Sequence, residues 1–369
     1  MKRVVSLLLC LVLTLSTVVV LGSCGGDEEK DTYEIAVVTD VGQLMDGGFN
    51  QGTYEGAKSY AEKNGKTYKY YQPANGADAT DNDRIAAMRQ AVNNGAKVIV
   101  APGFLQETAI KTVAQENPDV KFVFVDGWAM GIPNVTAVIY KEEESGYMAG
   151  YAAVKDGYTK LGATLGGGGS NPACNRFGFG YVQGAAVAAA DMGVDIEIKY
   201  SYKYGDTFSA SSDLETQISS WYTQGTEIVF ACGGSMFQSV KSAAEATENG
   251  KIIGVDVDQS PLSERVVTSA IKGLSVSVEK ILGEFYNGEW DAKLADKASN
   301  LGAADNATGI PDHFERFKTF AKADFDTLFA AIKNGTVKIS NEVPENCNDA
   351  QWLLNAVKDN AHVTIVFEK

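Results

Sequence analysis

Short runs of β-branched and aromatic residues alternate with amphipathic stretches along most of the chain. No other feature restricts the fold as much. YEIAVVT, TYKYYQ, KVIVAPG, KFVFVDG and NVTAVIY read as strands; NQGTYEGAKSYAEKNG, DNDRIAAMRQAVNNG and LQETAIKTVAQENP lie between them with apolar residues at helical spacing. Gly or Asn-Gly closes the first two helices, and Pro118 follows the third. Continuously apolar strands, each followed by a helix, belong to a parallel sheet covered on both faces. The plan then starts again: KLGATL, IEIKYSYKY, EIVFAC, KIIGVDVDQ and VVTSAIKG are strand runs, separated by NRFGFGYVQGAAVAAADMG, SSDLETQISSWYTQG and MFQSVKSAAEATENG. Two units of like plan in 369 residues predict two Rossmann-like α/β lobes with a cleft between them. In such open sheets, ligands bind beyond the carboxyl ends of the strands.

The first residues speak to location. MKR, an apolar run and the ending LGSC describe a secretory leader over residues 1–23, with Cys24 as the lipidated new N-terminus, as in a bacterial lipoprotein. The competing reading is a transmembrane anchor, since the run approaches the length of a bilayer span; a Cys at its boundary favours the lipid (palmitate) anchor. Residues 24–32 then form a polar leash, and the fold is expected at the membrane's outer face, tethered without spanning.

Composition closes off several classes. A net charge of −15 argues against a nucleic-acid partner, whose binding domains carry basic patches. Past Cys24 there are three cysteines, Cys174, Cys232 and Cys347, so at most one disulfide can form. The two histidines, His313 and His362, lie at no metal-ligand spacing to a Cys, so no metal and no cofactor is expected.

Polar residues cluster at strand ends. Asp40, Asp126 and Asp256 each follow an apolar run, and Gly233-Gly234 follows EIVFAC. Each Asp alone reads equally as a helix cap or turn former; the set reads as one crevice able to accept hydrogen bonds from hydroxyl or amino groups. Phe49 stands between Gly47-Gly48 and Asn50, where Asn50 would cap the following helix. Phe49 is either a hydrophobic staple or a ring offered to a planar ligand. Phe177 and Phe208 are candidates for a second ring on the other lobe, and Lys272 ends a strand at a lobe crossing. Two glycine patterns are set aside. GGGGSN reads as a flexible loop with no following Gly-Lys-Ser/Thr, and Gly178, Gly180 and Gly184 only approximate a dinucleotide fingerprint.

DVGQLMDGGFNQGTYEG, FVFVDG, EESGYMAGYAAV, RFGFGYVQG, ACGGSMFQS, IGVDVDQ and TSAIKG together resemble, in order, the basic membrane protein family. Its members are lipoprotein receptors of ABC transporters, among them binders of purine nucleosides. The resemblance implies a type I periplasmic-binding-protein fold with a three-segment hinge. On that plan residues 33–138 plus 273–300 form the N-terminal lobe, and residues 139–272 plus 301–369 the C-terminal lobe. It further implies that Asp40, Phe49 and Asn50 meet the base, with Phe49 stacking on it. Asp126, Asp256 and Lys272 would hold the ribose hydroxyls, Gly233 and Gly234 would let backbone approach the ligand, and Phe177 or Phe208 would be the second stacking wall. The chain departs from the family where Gly47-Gly48 replaces Ser or Lys-Ser, where GGSMF replaces Gly-Gly-Thr-Gly, and in SNPACNRFGF.

The expectation is a monomeric, lipid-anchored receptor that passes a purine nucleoside to an ABC permease. The alternatives are a receptor for sugar or another small metabolite on the same fold and, third, a nucleoside-cleaving enzyme. An enzyme would need a metal or a close acid/base pair, whereas these acids are spaced one per strand end without a His partner.

Overall fold

The computed structural model describes residues 32–369 apart from Gly42, Asn348 and Ala350. The leader, Cys24 and nearly all of the leash lie outside the described residues. In the N-terminal lobe run β1 (Ile35–Val38), α1 (Phe49–Lys63), β2 (Tyr68–Tyr71), α2 (Asp81–Asn93), β3 (Val98–Pro102), α3 (Glu107–Glu116), β4 (Lys121–Val125) and β5 (Val135–Tyr140). The chain then crosses to α4 (Glu142–Lys155), β6 (Lys160–Leu165), α5 (Pro172–Met192), β7 (Ile196–Ser201), α6 (Ser212–Thr223), β8 (Ile228–Cys232), α7 (Met236–Glu245), β9 (Lys251–Asp256) and β10 (Val266–Lys272). It returns to the first lobe for α8 (Leu274–Tyr286) and β11 (Ala298–Leu301), then finishes in the second with β12 (Thr308–Gly309), α9 (Lys322–Lys333), α10 (Gln351–Val357) and β13 (Val363–Glu368).

The first sheet has the order β11-β5-β4-β3-β1-β2, every neighbouring pair parallel. The second has the order β12-β10-β9-β8-β6-β7-β13, parallel except for β10 with β12. The central strands are buried without alternation because each sheet carries helices on both faces, while the edge strands β2, β11 and β13 are largely exposed or half-buried. Successive side chains of β1 show it. Ala36 and Val38 join one apolar cluster, with Met88 of α2 and Ile110 of α3. Ile35 and Val37 join another, with Ala57 of α1 and Val278 of α8. The residues predict the two parallel-sheet α/β lobes, and the resemblance the type I periplasmic-binding-protein architecture they form. The chain passes between lobes three times, after Tyr140, after Lys272 and after Leu301.

Two of the glycines set aside as a weak nucleotide fingerprint have a packing role instead. A Cβ on Gly180 would lie 2.0 Å from the carbonyl oxygen of Glu143, and one on Gly184 would lie 2.0 Å from that of Tyr147. Gly146 of α4 answers them, its Cβ position 2.0 Å from the carbonyl oxygen of Phe177. Only residues without side chains let the backbones of α4 and α5 come this close. The crossing brings the first turn of α4 against the first turns of α5.

The glycine run after β6 is a tight turn over Gly167–Gly169, with Gly167 and Gly169 buried, rather than a flexible loop. The Gly169 carbonyl accepts from the Cys347 amide and the Asn175 side chain, both at 3.0 Å. The three described cysteines are free.

Candidate functional site

The loop after β1 is built by its acids. Asp46, not Asn50, caps α1: its carboxylate accepts from the amides of Gly48 (2.8 Å), Asn50 (3.0 Å) and Gln51 (3.2 Å). A carboxylate there satisfies the otherwise orphaned amides of a helix start and complements its dipole. Asn50 is therefore already inside the helix. Its Nδ2 donates to Asp40 Oδ1 and to Asp46 Oδ2, both at 3.3 Å, and its buried Oδ1 has no partner. Burial holds the Asp46 carboxyl above its ordinary pKa despite these bonds. Phe49 opens the helix, half-buried, packed on its inner side against the first lobe's core.

Three further cleft residues carry left-handed backbone at the ends of strands or in a turn: Asp126 (φ 60°), Asp256 (φ 68°) and Phe208 (φ 56°). For a residue with a Cβ this conformation costs on the order of 1–3 kcal/mol, and it persists where the surroundings impose it. At Asp126 and Asp256 it accompanies the turn out of the strand. Phe208 lies over the glycines opposite it. A Cβ on Gly166 would sit 2.4 Å from its ring and one on Gly234 2.8 Å from its carbonyl oxygen. Gly233 and Gly234 themselves have φ 151° and 47°.

Lys272, at the end of β10, is 3% exposed. Its ammonium lies 2.7 Å from Asp126 Oδ2, 3.2 Å from Glu142 Oε1 and 3.9 Å from Asp256 Oδ1. It also faces the rings of Phe49 at 5.1 Å and Phe177 at 5.4 Å. Asp126 belongs to the first lobe and Lys272 to the second, so the shortest of these ion pairs joins the two. Burial alone would push the ammonium's pKa down; the charges of Asp126, Glu142 and Asp256 outweigh it and hold the pKa above its ordinary value. Burial raises the Asp256 carboxyl to about 7, with Lys272 working against the rise and Asp126 adding to it. Burial also raises Asp126. Glu142 is buried too, yet the cations Lys272 and Arg176 keep its carboxyl below the ordinary value.

All ten residues singled out from the sequence line one cavity of about 400 Å³ between the lobes: Asp40, Phe49, Asn50, Asp126, Phe177, Phe208, Gly233, Gly234, Asp256 and Lys272. That volume is in the range of small-molecule sites. Phe177 is 2% exposed and meets Phe230 edge to face, so it is chiefly a core residue with an edge on the cavity; Phe208 presents more of its ring. The sequence reading missed Asp46 in the lining and Glu142 and Arg176 behind it. Asp46 stands two residues before the Gly48 cap position, where an acid at a helix start is a signal the sequence carries. Glu142 and Arg176 gave no local signal. Cys174 and Cys232 also border the cavity.

The lining carries four carboxylates, Asp40, Asp46, Asp126 and Asp256, against one ammonium. Such a surface accepts hydrogen bonds from hydroxyl and amino groups and presents aromatic rings from both lobes. Among the described residues, no group of three or more His, Cys, Asp or Glu is placed to hold a metal ion. No described helix is long and apolar enough to cross a membrane.

Residues 33–348 match the family described as ABC transporter substrate-binding protein, PnrA-like. The ABC transporter nucleoside-binding protein BmpA of Lactococcus lactis subsp. cremoris is 31% identical over 343 residues, covering 83% of this chain and 94% of that protein. Basic membrane protein B of Borreliella burgdorferi is 28% identical over 62% of this chain and 67% of its own length. Among solved structures, an ABC transporter solute-binding protein from Aeropyrum pernix K1 superposes with a TM-score of 0.74 at 21% identity, covering 89% of this chain and 98% of that one.

Proposed function

Taking as premise that the chain belongs to the PnrA-like substrate-binding proteins of ABC transporters, and so is a receptor rather than an enzyme, we propose that it captures a purine nucleoside in the interlobe cleft. It then delivers the nucleoside to an ABC permease while tethered outside the cell membrane by lipid on Cys24. The observation that carries the nucleoside reading is the pairing of two chemistries in one cavity. Aromatic rings on facing lobes, Phe49 and Phe208, accompany a carboxylate-ammonium cluster of Asp126, Asp256 and Lys272. A nucleoside has a flat base for the first and a vicinal diol for the second.

In this reading the base lies between the two rings, where stacking adds about 0.5–1.5 kcal/mol beyond area burial. The unpartnered Asn50 Oδ1 and the Asp40 carboxylate receive the donors of the base. The sugar hydroxyls donate to Asp126 and Asp256 and accept from Lys272. These are charge-assisted bonds, strengthened as closure excludes water. The closed state is the one the permease recognises, a shift between two populations about the three crossings. The protein acts as a monomer, and the lipid on Cys24 holds it at the surface without spanning the membrane.

The test is thermal unfolding of soluble protein from Gly25 onward, unfolded and refolded first to release any co-purified ligand. Purine and pyrimidine nucleosides, free bases and sugars are then added in turn. A ligand at a hundred times its Kd stabilises the folded state by about 2.7 kcal/mol. A raised midpoint with guanosine, inosine or adenosine is expected. A rise with sugars alone would remove the nucleoside reading and leave a sugar receptor of the same fold.

A further inference from the structure

Glu142 is 0% exposed and does not border the cleft, yet it stands 3.2 Å behind Lys272. Its other oxygen, Oε2, accepts from Arg176 Nε at 2.6 Å. Arg176 precedes Phe177 on α5, and Glu142 opens α4, so the pair exists because α4 and α5 cross at their glycines. The same turn of α4 is tied to the other two lobe crossings. Ser145 Oγ donates to the Ile271 carbonyl (2.6 Å) and accepts from the Gly309 amide (2.9 Å). Glu144 Oε2 accepts from the Ala303 amide and the Thr308 hydroxyl, each at 2.6 Å. Glu142 is thus anchored at the place where all three crossings meet.

We propose that Glu142, held by Arg176, is a positioning residue for ligand capture: it fixes the Lys272 ammonium against the cleft. This rests on the reading of the cleft as the ligand site. Lys272 has three carboxylates to choose from, and Asp126 and Asp256 are the two that a ligand would engage. The ammonium already donates to Asp126 Oδ2 at 2.7 Å; without a fixed third carboxylate behind it, it closes the remaining 3.9 Å to Asp256 and ties up that acceptor as well. A carboxylate also raises its neighbours by like charge. The groups that face Asp256 are Lys272 on β10, Asp126 beyond β4, Asp46 before α1 and Glu142 on α4. Removing the Glu142 charge therefore moves the Asp256 titration toward acid.

Two measurements on Glu142→Gln test this against the wild type. The first follows the Asp256 carboxyl carbon by NMR in ligand-free protein from about pH 5 to about pH 9, across the range where a buried carboxyl of this kind titrates. The expected result is an acid shift of the Asp256 titration, because a like charge has been removed from its surroundings. The second is calorimetric titration with guanosine across the same range, where affinity is expected to fall tenfold or more and the pH profile to move with Asp256. Glu142→Asp keeps the charge and should keep the Asp256 titration near its wild-type position while binding more weakly. If the Gln variant does not fold, Arg176→Lys, which retains charge but loses the Nε–H that holds Glu142, is expected to weaken guanosine and leave Asp256 little moved. An unshifted Asp256 together with guanosine affinity within twofold of wild type overturns the proposal. Failure of the wild type itself to bind guanosine overturns the nucleoside reading instead, and the NMR titration then decides the role of Glu142 alone.

Discussion

Replacing Lys272 with Met removes the cleft's cation while keeping most of the stem's volume. Three carboxylates then share a buried space with Arg176, bonded to Glu142, left to offset them. At N–O separations of 2.7, 3.2 and 3.9 Å and an effective dielectric of about 20, each pair is worth roughly 4–6 kcal/mol before desolvation. Most of that gross attraction is cancelled by the cost of burying the ammonium. What remains on breaking such a pair, with its partners still buried, is a loss of about 3–5 kcal/mol. With an unfolding entropy of roughly 2.1 cal/mol/K per residue, this lowers the midpoint by about 4–7 °C. The loss must depend on pH. Without Lys272 the carboxyls of Asp126, Glu142 and Asp256 titrate higher, so the folded variant binds protons that the unfolded chain has released. Its deficit is therefore largest in alkali and shrinks as acid neutralises the cluster. Calorimetric unfolding of wild type and variant across a pH series, without ligand, is the assay. A deficit below about 1 kcal/mol in alkali, where exposed pairs fall, or one that is the same at every pH, refutes the charge-cluster reasoning.

The wild-type apoprotein should itself lose stability as pH rises from about 4 to about 7 through Asp256 and Glu143. Burial raises both to about 7, so over that window the folded state holds protons the unfolded chain has lost; denaturant midpoints across the window check it, the slope reversing in sign if these groups were ionised throughout. Phe49→Ala should cut purine-nucleoside affinity tenfold or more and cost stability about 1–2 kcal/mol, because one side of the ring packs on the core. Titration calorimetry beside thermal unfolding reads both, and intact binding with a larger stability loss would assign Phe49 to the core. Gly180→Val should cost about 3 kcal/mol or more, since its Cβ would meet the Glu143 carbonyl at 2.0 Å; a denaturant midpoint close to wild type would mean that the α4–α5 crossing accommodates a side chain there.

Much of this molecule was legible in one dimension because its signals are local. The period of apolar residues and the caps and prolines at helix ends marked the alternation of strand and helix, and with it two parallel sheets. Strand ends are visible as the last residue of an apolar run, so Asp40, Asp126, Asp256 and Lys272 were marked before their meeting place was known. The doubly wound topology then puts such ends side by side at one crevice. The cap of α1 is a local signal too, carried not by Asn50 but by Asp46, two residues before the Gly48 cap position, whose carboxylate reaches three amides at the helix start.

The tertiary structure alone decided the charge on the cleft. Glu142 and Arg176 lie 34 positions apart on different helices, and only the glycine-lined crossing of α4 and α5 sets them 2.6 Å from each other and behind Lys272. The same holds for the aromatic walls. Phe177 and Phe208 are equal candidates in the sequence, and burial against Phe230 separates them. Sequence determines which groups each element presents, because that follows from spacing along a helix or strand. A buried ion's protonation, and the face a ring shows, depend on the distance to groups from other elements and on the exclusion of water, and both arise only once the elements have packed.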